Sequence, residues 1–262
     1  MQTSYLDNQL PAIPGMLSDN VQTEIISRIN NSKQTTSVVI SAADLSTTLT
    51  INGTAFNVNA GAASLTKTEL RDLLIAAINA GAQPVTASIK DADELYVEAD
   101  VSGTAFTYAD TVNVASTDVI LNEASVEFGK VVTADWGTAT RQNRAHLPNL
   151  TTDITNAAKV LGVAIHEHTN MQSRPAANNI GYDPQSAMSV LKKGNVWVET
   201  EVTVVAGDPV YVRFAATSPE KRGAFRNDAD TSDASVLPSA RFQQDSEVID
   251  GRNLTILNLN LT

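Results

Sequence analysis

GNVWVETEVTVVAGDPVYVRF, residues 194–214, carries the clearest pattern in the chain. Val196, Val198, Thr200, Val202 and Val204 fall on one face of an extended strand, while Trp197, Glu199, Glu201 and Thr203 fall on the other. After Gly207-Asp208-Pro209 the alternation resumes, with Val210, Val212 and Phe214 on one side and Tyr211 and Arg213 on the other. The pattern predicts a half-buried β-hairpin. For both valine faces to point to one core, even-numbered residues must pair with even-numbered ones, for example Val204 with Val210 and Val202 with Val212, a register that sets Glu201 beside Arg213 as a cross-strand ion pair.

Upstream, residues 1–35 read as an N-terminal arm and the start of the β body, with Pro11, Pro14 and Gly15 among scattered hydrophobes. Val21, Ile25, Ile26 and Ile29 have helical spacing, in a run short enough to be irregular instead. Residues 36–116 have the texture of a separate small α+β domain. Strands at 37–41, 85–90 and 95–99 accompany a tight hairpin in which Leu49, Ile51, Phe56 and Val58 flank Asn52-Gly53, the dipeptide suited to positive backbone angles. The one convincing helix starts at Thr66, with Glu69 completing a capping box and Leu65 and Leu70 in staple positions, and it stops at Gly81. Leu70, Leu73, Leu74, Ala77 and Ile78 form its apolar stripe. Gly-Thr-Ala-Phe occurs at 53–56 and again at 103–106, a duplicated element or a coincidence in a Thr- and Ala-rich stretch.

Residues 117–262 read as a β body, with strands at 119–121, 126–132 and 160–165. Polar loops are expected over 135–148, which holds Trp136, Arg141, Arg144 and His146, over 169–184 and over 218–238. At the end of the sequence Leu257, Leu259 and Leu261 alternate with asparagines, which predicts a closing strand.

An apolar share of 42% and a charged share of 18% over 262 residues suit a soluble globular protein with a real core. A net charge of −11 argues against a phosphate-gripping surface, so no nucleic acid is expected as a partner. Without cysteine there is no disulfide, thiol nucleophile or Cys-ligated metal. The first residues lack a basic region followed by a long apolar run, and no window approaches a membrane span, so a cytoplasmic product without a membrane partner is expected.

Catalytic signals are weak. His166-x-His168 with His146 is compatible in principle with a three-histidine metal site, but His-x-His is common in strands without metal, and no metal or cofactor is assigned. There is no Gly-x-Ser-x-Gly elbow and no Gly-rich phosphate loop, while the carboxylate pairs that a glycosidase needs occur in any acidic chain. Trp197 and Tyr211, both on the polar face of the hairpin, suit a protein interface.

The order of elements in the second half is informative in another way. LGVAIH at 161–166 precedes the hairpin with its Ala-Gly-Asp-Pro-Val-Tyr-Val corner at 206–212, then come Gly-x-Phe-x-x-Asp at 223–228, Pro-x-Ala-Arg-Phe at 238–242 and the last strand. This arrangement, with Pro-x-x-Pro-Gly at 11–15, resembles the structural cement proteins of tailed-bacteriophage heads. The 36–116 segment departs from the shorter members and is similar to small domains of tail-sheath and other virion proteins. The resemblance implies a mainly β fold, a β-barrel or jelly-roll-like body with an inserted α+β domain. It also implies a non-enzymatic protein that binds the outside of the capsid, with the major capsid protein and its own copies as partners, as a homotrimer or alternatively a dimer. Candidate contact residues are Pro11 and Pro14 in the arm, Trp136, Arg141 and Arg144 in the polar loop, and Trp197, Tyr211 and Arg213 in the hairpin. Phe225 and Arg241 in the two downstream segments complete the set. A glycan-binding module is the alternative reading, and a glycoside hydrolase a more distant one.

Overall fold

Val131, Val163 and Leu191 belong to one buried cluster, while their chain neighbours Val132, Ala164 and Val190 belong to another. Adjacent residues of a strand point to opposite faces, so these strands are covered on both sides. The computed structural model describes residues 13–18, 23–31, 33–44, 46–59, 61, 63–122, 125–134, 143–156, 158–166, 181–216 and 221–261. Half of the described residues are in strands or bridges and a tenth are helical.

In chain order the elements begin with β1 (Glu24–Asn30), β2 (Thr35–Ile40), β3 (Ser46–Ile51), β4 (Thr54–Asn59), α1 (Lys67–Ala80), β5 (Val85–Asp91), β6 (Glu94–Ala99), β7 (Tyr108–Val112) and β8 (Val114–Ile120). They continue with β9 (Val126–Glu127), β10 (Val131–Ala134), β11 (Arg144–His146), α2 (Thr151–Thr155), β12 (Val160–Ala164), β13 (Gly181–Tyr182) and β14 (Ala187–Thr200). The last are β15 (Tyr211–Arg213), β16 (Phe225–Arg226), β17 (Ala234–Val236), β18 (Ala240–Phe242), β19 (Glu247–Ile249) and β20 (Arg252–Asn260).

Five strands close on themselves. β1 pairs with β11, β11 with β10, β10 with β12, β12 with β14, and β14 with β1 again. Ala145, Val132, Ala164, Met188 and Val190, with Ile26 packed against them, come from all five strands and fill this small barrel with side chains. Residues 24–30, whose apolar spacing suggested a helix, are therefore a barrel strand: Ile26 faces inward and Ile25 and Ile29 lie exposed. The expected strand over 126–132 is two strands, because Gly129 takes a φ of +78° and turns the chain between β9 and β10.

β14 holds the body together. Its first half lies in the barrel, and from Lys193 to Thr200 it pairs antiparallel with β20, so that Val196 faces Leu257 and Gly194 faces Leu259. Val196, Val198, Val204, Val210 and Val212 all reach the same core, joined by Phe225, Phe242, Leu257 and Leu259. The valine face is thus as expected, but the hairpin is not. β15 pairs with β16 and β17, and β16 lies between β15 and the end of β14. The intervening backbone is engaged elsewhere: Glu201 N donates to Phe225 O, Ser246 N donates to Val204 O and Gly207 N donates to Phe242 O. Residues 218–238, expected as a loop, hold β16 and β17, and Phe225 within them is wholly buried.

Among the described residues β2 to β8 pair only with one another, as a four-stranded sheet β5-β6-β2-β8 and a three-stranded sheet β4-β3-β7. β8 carries this pairing to Ile120, past the expected limit at 116. Thr35 pairs with Ile120, so the chain enters and leaves the region side by side. Asn52 (φ 48°) and Gly53 (φ 77°) make the tight turn of β3 and β4, as their sequence predicts. Thr66 accepts a hydrogen bond from Glu69 N at 3.2 Å, and Glu69 Oε2 accepts one from Thr66 N at 2.9 Å, the reciprocal box that starts α1. Leu70, Leu74 and Ile78 bury completely against the sheets, whereas Leu73, expected in the stripe, is 46% exposed. Gly81 ends the helix without a left-handed angle; a Cβ there would lie 2.7 Å from the Phe56 ring.

Candidate interaction surface

On the side of β14 opposite the valines, Asn195 stands opposite Asn258 and Trp197 opposite Ile256. Arg241 of β18 is also opposite Asn258, so the three strands place Asn195, Trp197, Ile256, Asn258 and Arg241 on one sheet face. Trp197, Asn195, Ile256 and Asn258 are half-buried and Arg241 is exposed. Asn258 Nδ2 donates to Asn195 Oδ1 at 2.6 Å, and Arg241 Nη1 donates to Ala240 O at 2.7 Å. Residues 13–18 run along the free edge of this part of β14: Gly15 N donates to Trp197 O at 2.7 Å and Trp197 N to Met16 O at 2.8 Å. The result is an outward patch with one aromatic, one cation and several amides, a mixture typical of protein contact surfaces.

Tyr211 and Arg213 lie on a second outward side, in β15. Here the chain covers itself. The turn at 229–233 brings Asp230 and Asp233 to Arg213, whose Nε also donates to Glu201 Oε1 at 2.8 Å and Oε2 at 2.9 Å. Arg226 joins the group through Glu201 Oε2 at 3.2 Å, Asp230 Oδ2 at 2.7 Å and Asp228 Oδ1 at 2.6 Å. The Glu201–Arg213 pair is the one expected, with a different setting: Arg213 is 0% exposed. Burial pulls its guanidinium down, but the hydrogen bonds to Glu201 and Asp230 outweigh this and hold it above its ordinary value. The Arg213 hydrogen bond holds the Asp230 carboxyl below the usual range. Asp230, Thr231 and Ser232 all have positive φ, a run of strained residues that this network anchors.

The expected contact residues therefore separate. Trp197 and Arg241 come together on the outward face, and Tyr211 is half-buried between Arg226 and Val236. Arg213 and Phe225 are enclosed, the first by carboxylates and the second by the valine core, so neither offers a side chain to a neighbour. Arg144 pairs with Glu98 at 3.1 Å, tying β11 to β6. Pro14 packs onto Gly129 of its own chain. Pro11, Trp136 and Arg141 lie outside the described residues, as does His168. His146 is buried, its Nδ1 bonded to Leu147 O at 2.7 Å, and His166 packs against the Phe128 ring with centroids 4.9 Å apart. Among the described residues no group of three or more His, Asp or Glu has metal-binding geometry. The sequence reading missed Arg226 and Asp230, whose only signal was their density of charge in a segment taken for a solvated loop.

The family model for structural cement proteins (E217 gp24/Pam3 gp6) matches residues 85–260. The match opens at the start of β5 and ends in β20. A chain in the solved capsid of Myoviridae phage XM1 is similar over 53% of this chain and 78% of that one, at 14% identity and a TM-score of 0.36. No curated protein matches.

Proposed function

The chain belongs to the structural cement protein family, a non-enzymatic component of the virion capsid, and from that premise we propose that it binds the outer surface of a phage head and stabilises the major capsid protein lattice. The family match over 85–260 is the observation that carries this reading, and it sets aside the glycoside hydrolase alternative.

Cementing needs many modest contacts repeated by symmetry, not one deep pocket, and a homotrimer multiplies each of them through avidity. The patch of Asn195, Trp197 and Arg241 is the surface assigned to the lattice contact. In this reading residues 36–116 are an inserted domain that points away from the shell, because an insertion is best tolerated where it displaces no contact.

The test is sedimentation of purified protein with expanded and with unexpanded heads. Saturable binding to expanded heads alone, with raised resistance of those heads to heat, is expected. No binding to either form refutes the proposal.

A further inference from the structure

At the end of the row Asn195, Trp197, Glu199 the outward face of β14 gives way to a small cavity of about 130 Å³, lined by Glu127, Lys130, Glu199, Thr200, Glu201 and Lys221. Its polar groups fall into two sets. Glu127 is held by Lys221 at 2.5 Å, and Glu201 by Arg213 and Arg226. The other set is unmatched. Lys130 is only 8% exposed and has no acidic partner within ion-pair distance among the described residues. Glu199 has no ion pair there either. Burial pushes the Lys130 ammonium down, and the nearby Glu127 and Glu199 oppose that. Native proteins rarely leave buried donors unmatched, and the exceptions concentrate where something binds.

The guest must accept from Lys130 and donate to Glu199. A carboxylate would meet Glu199 and Glu201, and an ammonium or guanidinium would meet Lys130. A primary carboxamide meets both demands, its oxygen toward Lys130 and its NH2 group toward Glu199. We propose that this cavity is a socket for an uncharged carboxamide side chain, an asparagine or glutamine presented by the capsid lattice, an assignment that rests on the docking role proposed above.

Lys130→Met keeps the length of the side chain and removes the unmatched ammonium. In the isolated protein it is expected to hold or raise the melting temperature, since a desolvated charge is removed. It is also expected to lower affinity for expanded heads at least tenfold. A purely structural role for Lys130 would lower stability and leave affinity alone. A variant that folds and binds as the wild type does overturns the socket, while failure of the wild type itself to bind overturns the docking role instead. The chemistry is tested without heads by following the Lys130 side-chain resonances during titration with propionamide, propionate or propylammonium. Saturable shifts with propionamide alone support the assignment. No shift with propionamide, or an equal shift with either charged analogue, refutes it.

Discussion

Arg213 donates from Nε to both carboxylate oxygens of Glu201, at 2.8 and 2.9 Å, although β16 separates the strand that ends at Thr200 from the strand that carries Arg213. The two side chains meet because both keep the parity of the valine alternation while the backbone between them takes another route. Glu201 is the shared acceptor of Arg213 and Arg226, and the network closes over the core through Asp230.

Removing the central cation leaves Glu201 and Asp230, both half-buried, with Arg226 alone. Arg213→Met is expected to destabilise the protein by about 1.5–3 kcal/mol, the range for losing hydrogen bonds to charged groups. Urea unfolding measures it. The double variant with Glu201→Gln recovers part of the loss, since fewer uncompensated charges then remain, and strictly additive losses would mean that the pair is not coupled.

Asp230 gives the network an acid limit. Its folded pKa is depressed by the Arg213 hydrogen bond, so its contribution is complete above the unfolded carboxylate value of about 3.9 and is lost as pH falls through the lower folded value. Thermal melts from neutral pH down through the carboxylate range are expected to fall less steeply in Asp230→Asn than in the wild type. Equal slopes would remove Asp230 from the acid response.

What was legible in the sequence was local or periodic. The helix boundaries at Thr66 and Gly81, the Asn52-Gly53 turn and the leucines of the last strand each rest on a chemical rule that acts within a few residues. The valine face was legible because one side of the strand from Val196 to Thr200 meets solvent. Strand β14 starts seven residues before Gly194, and that part was hidden because Met188, Val190 and Leu191 fill two cores at once and break the alternation. β16 is two residues long and has no period to read, so its place beside β14 was beyond any pattern. Lys130 carries no signal at all in the sequence, since its meaning comes from what encloses it.

Gly53 and Gly129 offer a matched comparison. Their φ angles are 77° and 78°, but a Cβ on Gly53 meets nothing within 4 Å, whereas one on Gly129 lies 2.8 Å from Pro14 Cβ. Gly53→Ala is expected to cost about 1 kcal/mol, the backbone penalty alone. Gly129→Ala adds a clash with the docked segment 13–18. It is expected to cost more and to speed amide exchange at Gly15 and Trp197, whose N–H groups bond across that junction. Equal costs for the two variants would show that the segment yields freely.

The same junction decides how an arm truncation should be read. Deleting residues 1–18 would strip the bonded partner from β14 at Trp197 and Asn195 and disturb the proposed contact face together with the arm. Deleting residues 1–12 leaves those bonds in place and isolates whatever the arm contributes. Against this background Trp197→Ala and Arg241→Glu test the face itself. Trp197 is half-buried with its backbone bonds independent of the ring, and among the described residues the Arg241 guanidinium bonds only carbonyls of its own segment, at Pro238 and Ala240. Each substitution is therefore expected to shift the melting temperature little. Trp and Arg dominate the energetics of protein contacts, with losses of about 2 kcal/mol or more on truncation, roughly thirtyfold in affinity. Sedimentation with expanded heads is expected to show that loss for Trp197→Ala and, for Arg241→Glu, a loss that added salt partly relieves. Unchanged occupancy for both would move the lattice contact to another face of the body.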